Sequence, residues 1–219
     1  MTLRGRAVTV APLSAADAPA LFSAFRGADA MWDYMPVGPF ATEAELAGWI
    51  VNAETSEDPL FFSFTPEGEG AAGFGGFLRI APEAGSIEVG FLAFSPRLQR
   101  SVAATEAMYL LMKWAFEAGY RRYEWKCDAL NAPSRRAAAR LGLSYEGVFR
   151  QATVVKGRNR DTAWFAAIDT EWHALDRAFR IWLDPANFDA SGRQRTSLRD
   201  LTRPVLVAEA PVQIGTGSD

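Results

Sequence analysis

The stretch from Ser86 to Gly142 constrains the fold of this chain more than any other part of the sequence. It contains an alternating apolar run, a loop with Pro, Arg and Gln, a long amphipathic run, a second strand-like run and an Ala/Arg-rich run. This order predicts a β-loop-α-β-α unit. Two strands joined by one helix and short connections usually lie parallel, with a right-handed crossover. Because open α/β sheets bind ligands beyond the carboxyl ends of such strands, we expect the functional site there.

Apolar periodicity and turn residues predict the elements around this unit. We expect strands at residues 7–11, 60–64, 72–80, 87–94, 123–127, 144–153 and 160–169, and helices at residues 15–26, 42–54, 105–118, 133–142 and 171–183. The three strands before the crossover form hairpins, so the fold class is α/β (α+β) with a mixed, mostly antiparallel central sheet flanked by helices. One domain is expected over residues 1–185, including a docked C-terminal helix, and residues 186–219 form an extension whose last ten residues are mobile.

Length and composition exclude several classes of protein. A chain of 219 residues suits one domain with an appendage, and one cysteine excludes an internal disulfide framework. The amino-terminal residues do not predict a secretory signal, and no apolar run is long enough to span a bilayer. We therefore expect the cytoplasm and no membrane partner. A net charge of −3 argues against a nucleic-acid partner. A homodimer and a monomer both remain open.

A loop at residues 95–104 connects a predicted strand to the amino end of the long predicted helix. The free N–H groups of a first helical turn, together with the helix dipole, attract anions without any special side chain. Small residues at Ala103 and Ala104 allow a phosphate to approach the backbone, and Arg97 and Arg100 add positive charge. The alternative is that the arginines of this region belong to a solvated helix face.

Other catalytic arrangements find little support in the sequence. The only histidine, His173, lies in a predicted helix after the last strand, far from Cys127 in sequence. We therefore interpret Cys127 as a buried apolar residue and not as a nucleophile. The glycines Gly73, Gly75 and Gly76 lie within a hairpin, whereas a dinucleotide fingerprint needs a strand-to-helix turn. No zinc spacing or P-loop is present.

Three segments in a fixed order resemble the GNAT-type N-acetyltransferases. They are the strand Ile87-Glu88-Val89-Gly90-Phe91, the loop Gln99-x-x-Val102-x-Ala104, and Asn131-Ala132-Pro133-Ser134 leading to Leu141-Gly142-Leu143. Within that superfamily the chain is most similar to the ribosomal-protein N-terminal acetyltransferases and their small-molecule relatives. The resemblance covers about residues 7 to 170. It implies the acyl-CoA N-acyltransferase fold with a splayed parallel strand pair, acetyl-CoA as cosubstrate, and direct attack by a primary amine.

The resemblance also implies a cofactor site. In the family loop Q/R-x-x-G-x-G/A, Gln99 matches the first position and Ala104 the last, but Val102 stands where glycine is expected. If residue 102 is already helical the substitution costs little, and if it needs a positive φ the affinity for CoA falls. Backbone N–H groups near Phe91 or Leu92 are implied to stabilise the oxyanion. The residues implied to bind the cofactor are Phe91, Leu92, Gln99, Arg100, Ser101, Val102, Ala103, Ala104, Asn131, Arg135 and Arg136.

The catalytic residues implied by the resemblance are Glu88 and Ser134. Glu88 would act as a base through water, because an amine with a pKa near 10 must lose a proton before it attacks. The alternative for Glu88 is a strand carboxylate that faces solvent or pairs with an arginine. Ser134 would meet the leaving thiolate, and its alternative, shared with Asn131, is helix capping.

The acceptor is implied to lie near the aromatic loop that follows the first helix. Trp32, Asp33 and Tyr34 offer a carboxylate beside aromatic rings, which suits a cationic amine. The same loop can instead be a plug under the core. Small amines and peptide amino termini both fit the description, and the predicted hairpin at residues 151–160 would lie close by. A rival hypothesis is a non-catalytic protein of the same fold that binds CoA or a protein partner.

Overall fold

One eight-stranded sheet runs through the protein, in the order β1-β2-β3-β4-β5-β6-β8-β7, and helices pack on both of its faces. A computed structural model describes residues 1–211. The strands are β1 Leu3–Arg4, β2 Val8–Pro12, β3 Leu60–Pro66, β4 Gly73–Ala81, β5 Ser86–Phe94, β6 Arg122–Asp128, β7 Ser144–Val155 and β8 Arg158–Ile168. The α-helices are α1 Ala18–Phe25, α2 Glu43–Ala53, α3 Val102–Glu117, α4 Ala132–Arg140, α5 Asp169–Leu183 and α6 Leu198–Thr202.

The sheet is antiparallel except between β5 and β6, which confirms the predicted mixed architecture. The parallel pairing starts at Ser86 opposite Arg122 and stops at Val89 opposite Trp125. Both strands continue beyond that point without sharing further pairs, so they splay apart into a V-shaped gap.

A bulge in β5 explains why the parallel pairing stops. The register between β4 and β5 shifts between Gly90 and Ala93, so β5 carries one extra residue, and Phe91 has a φ of +53°. A bulge of this kind bends its strand and increases its twist. The carboxyl end of β5 is therefore directed away from β6, and the backbone groups around Phe91 border the gap.

Two cores hold the sheet between the helices. On one face, alternate residues of β5, β6 and β8 such as Val89, Tyr123 and Phe165 pack against α3 and α5. On the other face, α1 and α2 cover only the amino-terminal half of the sheet, around Phe74. Residues of β5 and β6 that do not belong to the first core point to the opposite face of the sheet. Over most of the length of these two strands, none of the helices α1–α6 covers that face.

Helix boundaries follow the capping residues more closely than the apolar period. Helix α3 begins at Val102, three residues before the predicted start, because the Ser101 hydroxyl accepts a hydrogen bond from the Ala104 N–H at 3.0 Å. Ser14 is an N-cap as expected, but the first turn after it is a 3₁₀ helix at Ala15–Asp17. Pro19 in the following turn of α1 has no N–H to donate.

The described part of the C-terminal extension packs on the domain. Leu198 and Thr202 of α6 are fully buried, and the Thr202 hydroxyl donates to the Arg140 carbonyl at 3.0 Å. The Tyr145 N–H of the edge strand β7 donates to the Ala208 carbonyl at 3.1 Å. The boundary at residue 185 stays a prediction, and most of the expected mobile tail, residues 212–219, lies outside the described residues. Within residues 1–211 no helix has the length and apolar character needed to cross a bilayer.

Candidate active site

Glu88 lies at the closed end of the V-shaped gap, on the sheet face opposite the core made by its neighbours Ile87 and Val89. It is only 3% exposed. Its Oε2 atom contacts Lys126 Nζ at 2.8 Å and Arg79 Nη1 at 2.8 Å. The remaining carboxylate oxygen, Oε1, accepts no hydrogen bond from residues 1–211.

The electrostatic surroundings of Glu88 suit a proton acceptor. Burial is the largest influence and raises the pKa of the carboxyl above its ordinary value, while Lys126 and, less strongly, Arg79 lower it. A base with a raised pKa takes a proton at neutral pH more readily than an exposed carboxylate. Oε1 lies toward Gly90, since a Cβ added there would be 3.6 Å from it. The basic oxygen is therefore next to the bulge that opens the gap.

The sequence did not identify the two cations that contact Glu88. Arg79 lies in a second bulge, between β4 and β5, and Lys126 occupies the first position of β6 beyond the parallel pairing. Lys126 was expected only as an alternating strand residue. The signal in the sequence is the pattern Glu124-Trp125-Lys126, which places two charges on the face that is not covered by the core.

The loop into α3 presents unpaired backbone donors. Arg100 has a φ of +61°, and the N–H groups of Arg100, Val102 and Ala103 have no hydrogen-bond partner in the described part of the chain. Successive N–H groups around a left-handed residue form a concave anion site, which the dipole of α3 strengthens. Val102 is the first residue of α3 and needs no positive φ, so the case in which the valine costs little applies.

Two side chains of this loop, Gln99 and Arg97, make contacts within the protein that hold the loop in place. The Gln99 amide donates to the Phe94 carbonyl at 2.8 Å, which ties the loop to the end of β5. Arg97 pairs with Glu69 at 2.6 Å and donates to backbone carbonyls of the β3–β4 turn. Its guanidinium is therefore already paired within the protein. Arg100 has no ion-pair partner among the described residues and is the cation that remains for a ligand.

Ser134 stands at the other side of the gap, in the first turn of α4. Its hydroxyl oxygen accepts a hydrogen bond from the Trp125 indole at 3.0 Å, and the hydroxyl also has the Cys127 sulfur as a hydrogen-bond partner. The Asn131 side chain accepts from the Ser134 N–H at 3.1 Å, so Asn131 is the cap of α4, as its alternative interpretation held. Burial raises the pKa of the neighbouring Cys127 thiol, which keeps it protonated.

The two arginines after Ser134 differ in their surroundings. Arg135 is buried and donates to the Ala129 carbonyl at 3.2 Å and to the Pro211 carbonyl at 3.3 Å, so it joins α4 to the C-terminal extension. These two carbonyl contacts occupy its guanidinium, and its contact with a cofactor stays a prediction. Arg136 is exposed and unpaired among the described residues, and it remains a candidate for contact with a nucleotide.

The aromatic loop separates into a buried part and an exposed part. Trp32 is 3% exposed and packs edge-to-face against Phe25 and Phe40, so its ring is a core plug and does not form an open wall. Asp33 and Tyr34 are exposed, and they are the residues of this triplet that can reach an acceptor.

Two contacts from other elements fix this loop beside the gap. The Lys156 ammonium, at the tip of the β7–β8 hairpin, donates to the Trp32 carbonyl at 2.8 Å. The Tyr34 hydroxyl donates to the Leu130 carbonyl, between β6 and α4, at 3.4 Å. The loop, the hairpin and the β6–α4 connection are therefore held in contact with one another, and their role in acceptor binding stays a prediction.

A bulged, splayed parallel pair with an anion-binding helix terminus beside it defines the acyl-CoA N-acyltransferase class of fold. Comparison with known proteins agrees. Residues 7–144 match the Acetyltransferase (GNAT) domain. A GCN5-related N-acetyltransferase from Brucella melitensis is 44% identical and superposes with a TM-score of 0.90, covering 93% of this chain and 94% of that one. This chain therefore belongs to the GNAT acetyltransferase family.

Three further relatives are similar to this chain over different shares of its length. A probable acetyltransferase of the GNAT family from Chromobacterium violaceum is 44% identical, with a TM-score of 0.75, over 79% of this chain and 88% of that one. The uncharacterized N-acetyltransferase YnaD of Bacillus subtilis is 28% identical over 87 residues, 39% of this chain, and the match spans about half (51%) of that relative. The Salmonella typhimurium enzyme that modifies the N-terminal serine of ribosomal protein L7/L12 shares the fold at 19% identity, a TM-score of 0.65 and coverage of 75% and 96%.

Proposed function

We propose that this protein transfers an acetyl group from acetyl-CoA to a primary amine, by direct attack and without a covalent enzyme intermediate. The observation that carries the proposal is the free Oε1 of buried Glu88, which borders the same gap as the unpaired N–H groups at the start of α3. A base and an anion site on one cleft are what an amine and a phosphate-bearing acyl donor need.

The residues around the gap fit acetyl-CoA. The N–H groups of Arg100, Val102 and Ala103 would hold its pyrophosphate, with the Arg100 guanidinium beside them. Backbone groups at the Phe91 bulge border the place where an oxyanion would develop. Acetyl-CoA supplies an activated acetyl thioester when it is bound.

Protein side chains would handle the two protons of the reaction. Glu88 Oε1 would take the proton of the incoming ammonium through a water molecule, since an amine with a pKa near 10 is mostly protonated at pH 7. The Ser134 hydroxyl, whose oxygen accepts from the Trp125 indole, would turn its hydrogen from the Cys127 sulfur to the leaving sulfur and donate a hydrogen bond to it. Glu88 would pass its proton on to solvent through the same water. The second proton, lost from the nitrogen as the amide bond forms and the C–S bond breaks, would end on the leaving sulfur, so both side chains are restored after each turnover.

The acceptor would enter between Asp33, Tyr34 and the β7–β8 hairpin. Exposed Asp33 would attract an ammonium group, and the exposed Tyr34 ring would contact its carbon chain. A small amine and a peptide amino terminus both satisfy this chemistry. The Salmonella relative modifies an N-terminal serine, which supports including such a peptide among the acceptors tested.

The proposal is tested first by ligand binding. At about 100 times its Kd, a ligand specific for the folded state adds about 2.7 kcal/mol to the free energy of unfolding. For a domain of this size that corresponds to a rise in Tm of about 5–11 °C. Saturable stabilisation by acetyl-CoA is expected, and no shift at millimolar acetyl-CoA would contradict it.

The second test measures CoA release with a panel of amines: a polyamine, an aminoglycoside, and peptides that begin with serine or alanine. We expect release above the acceptor-free background with at least one of them, and mass spectrometry should find one added acetyl group on that acceptor. Binding of acetyl-CoA without release for any amine would favour the non-catalytic alternative. Matched N-terminally blocked peptides are the control.

A further inference from the structure

Lys126 joins Glu88 to a charged network on the uncovered face of the sheet. Its side chain is 8% exposed, and its Nζ atom lies 2.8 Å from Glu88 Oε2 and 2.8 Å from Glu124 Oε2. The ammonium also lies 3.8 Å from the centre of the Trp164 ring, in cation–π geometry. Glu124 in turn pairs with Arg122 at 2.6 Å.

The contacts on Glu88 are unevenly divided between its two oxygens. Lys126 and Arg79 both make their closest contact with Oε2, and Oε1 accepts no hydrogen bond from residues 1–211. A carboxylate held at one oxygen keeps the other at a defined position. Here the free oxygen lies toward Gly90, which has no side chain to block it.

We propose that Lys126 is a positioning residue for the reaction: it fixes Oε2 of Glu88 and holds the carboxylate charged, so that Oε1 points into the gap as the base. This inference rests on the proposed function. The charged groups that face Glu88 are Arg79 from β4 and, from β6, Lys126 and Glu124. Glu124 is opposite Glu88 in the parallel pairing and shares Lys126 with it. Trp164 of β8 covers the ammonium and contributes no charge.

Burial distinguishes the two cations. The Arg79 side chain is 61% exposed, so water and salt screen its attraction for Glu88. Lys126 is almost fully buried and has a stronger effect than Arg79 in lowering the pKa of Glu88. Removing Lys126 should therefore raise that pKa more than removing Arg79 does.

A direct test titrates Glu88 by ¹³C NMR in protein labelled at the glutamate side-chain carboxyl, with Glu88→Gln used to assign the resonance. An opposite charge at such a distance typically moves a pKa by about 1–3 units. We expect Lys126→Met to raise the titration midpoint of Glu88 by about that amount, Arg79→Gln to raise it less, and Lys126→Arg to leave it near its native value. An unchanged midpoint in Lys126→Met overturns the proposal.

A kinetic test follows CoA release against pH with the best amine of the panel. The acid limb of kcat/KM should move to higher pH in Lys126→Met and return in Lys126→Arg, whereas a merely structural role would lower Tm without moving the limb. If Lys126→Met does not fold, Lys126→Gln provides the same comparison. Survival of the acid limb in Glu88→Gln would refute the base, and an unmoved limb in a folded Lys126 variant would refute only the positioning role.

Discussion

Replacing Glu88 with glutamine removes the proposed base while changing the size of the side chain very little. The amide oxygen can still accept from Lys126 or Arg79, which both lie 2.8 Å from Oε2 in the native protein. The anion site at the start of α3 lies on a separate element, so acetyl-CoA should bind with nearly unchanged affinity. The expected loss is therefore in kcat and not in the Kd of the cofactor.

The size of the loss follows from the roles of Glu88. Loss of a general base typically lowers kcat by a factor of about 10²–10⁴. Breaking a buried ion pair costs about 3–5 kcal/mol of unfolding free energy when one charge is left alone. Lys126 keeps Glu124 at 2.8 Å, and Arg79 is largely exposed. We therefore expect a smaller cost in stability, about 1–2 kcal/mol.

The pH dependence has a definite sign. The base must be ionised, and burial raises the pKa of Glu88 above its ordinary value, so native kcat/KM should fall as pH falls through that raised pKa. Glu88→Gln should lose this acid limb and keep a low rate. The measurements are CoA release across pH, acetyl-CoA affinity by calorimetry, and Tm. Native kinetics in a folded Glu88→Gln protein would refute the base assignment.

Three further substitutions test the frame around the gap. Ser101→Ala removes the cap of α3 and should cost about 1 kcal/mol of unfolding free energy, measured with urea. Gly142→Ala should cost about 2–4 kcal/mol in the same assay, because residue 142 has a φ of +89° and its new Cβ would lie 2.3 Å from Leu175 Cδ2. Lys156→Met removes the hydrogen bond to the Trp32 carbonyl, so KM for the acceptor should rise severalfold while acetyl-CoA affinity stays unchanged. An unaltered KM would show that the β7–β8 hairpin does not contribute to acceptor binding.

The order of strands and helices was predictable because the apolar period survives in nearly every element. Tyr123, Trp125 and Cys127 alternate with charged residues and all three are buried, as a strand with one covered face requires. The contacts of Lys126 were not predictable, since they depend on where the parallel pairing ends. The end of the pairing depends in turn on a bulge at Phe91, whose φ is positive. Phenylalanine rarely adopts a positive φ, so the sequence does not predict a bulge at this residue.

Two predicted ligand-binding residues, Trp32 and Arg135, are buried and make their contacts within the protein. Trp32 belongs to a triplet that suits a cationic ligand, but its ring fills the space between Phe25 and Phe40. Arg135 has the chemistry of a phosphate ligand, but carbonyl groups of the chain itself accept its hydrogen bonds. Both placements have the same physical reason, and both ligand roles stay predictions. A sequence shows which ligands a side chain can bind, whereas packing decides which of its atoms are still available.

The position of strain in the anion loop explains how valine can replace the family glycine. A glycine serves where φ is positive or where a ligand approaches the backbone closely, and here the positive φ falls on Arg100, two residues before Val102. A left-handed conformation costs a residue other than glycine about 1–2 kcal/mol. Arg100 also carries a guanidinium without an ion-pair partner among the described residues, which a glycine would not supply. Val102 begins the helix and packs against the core, so the departure from the family pattern moves the strain to a residue that adds charge to the site.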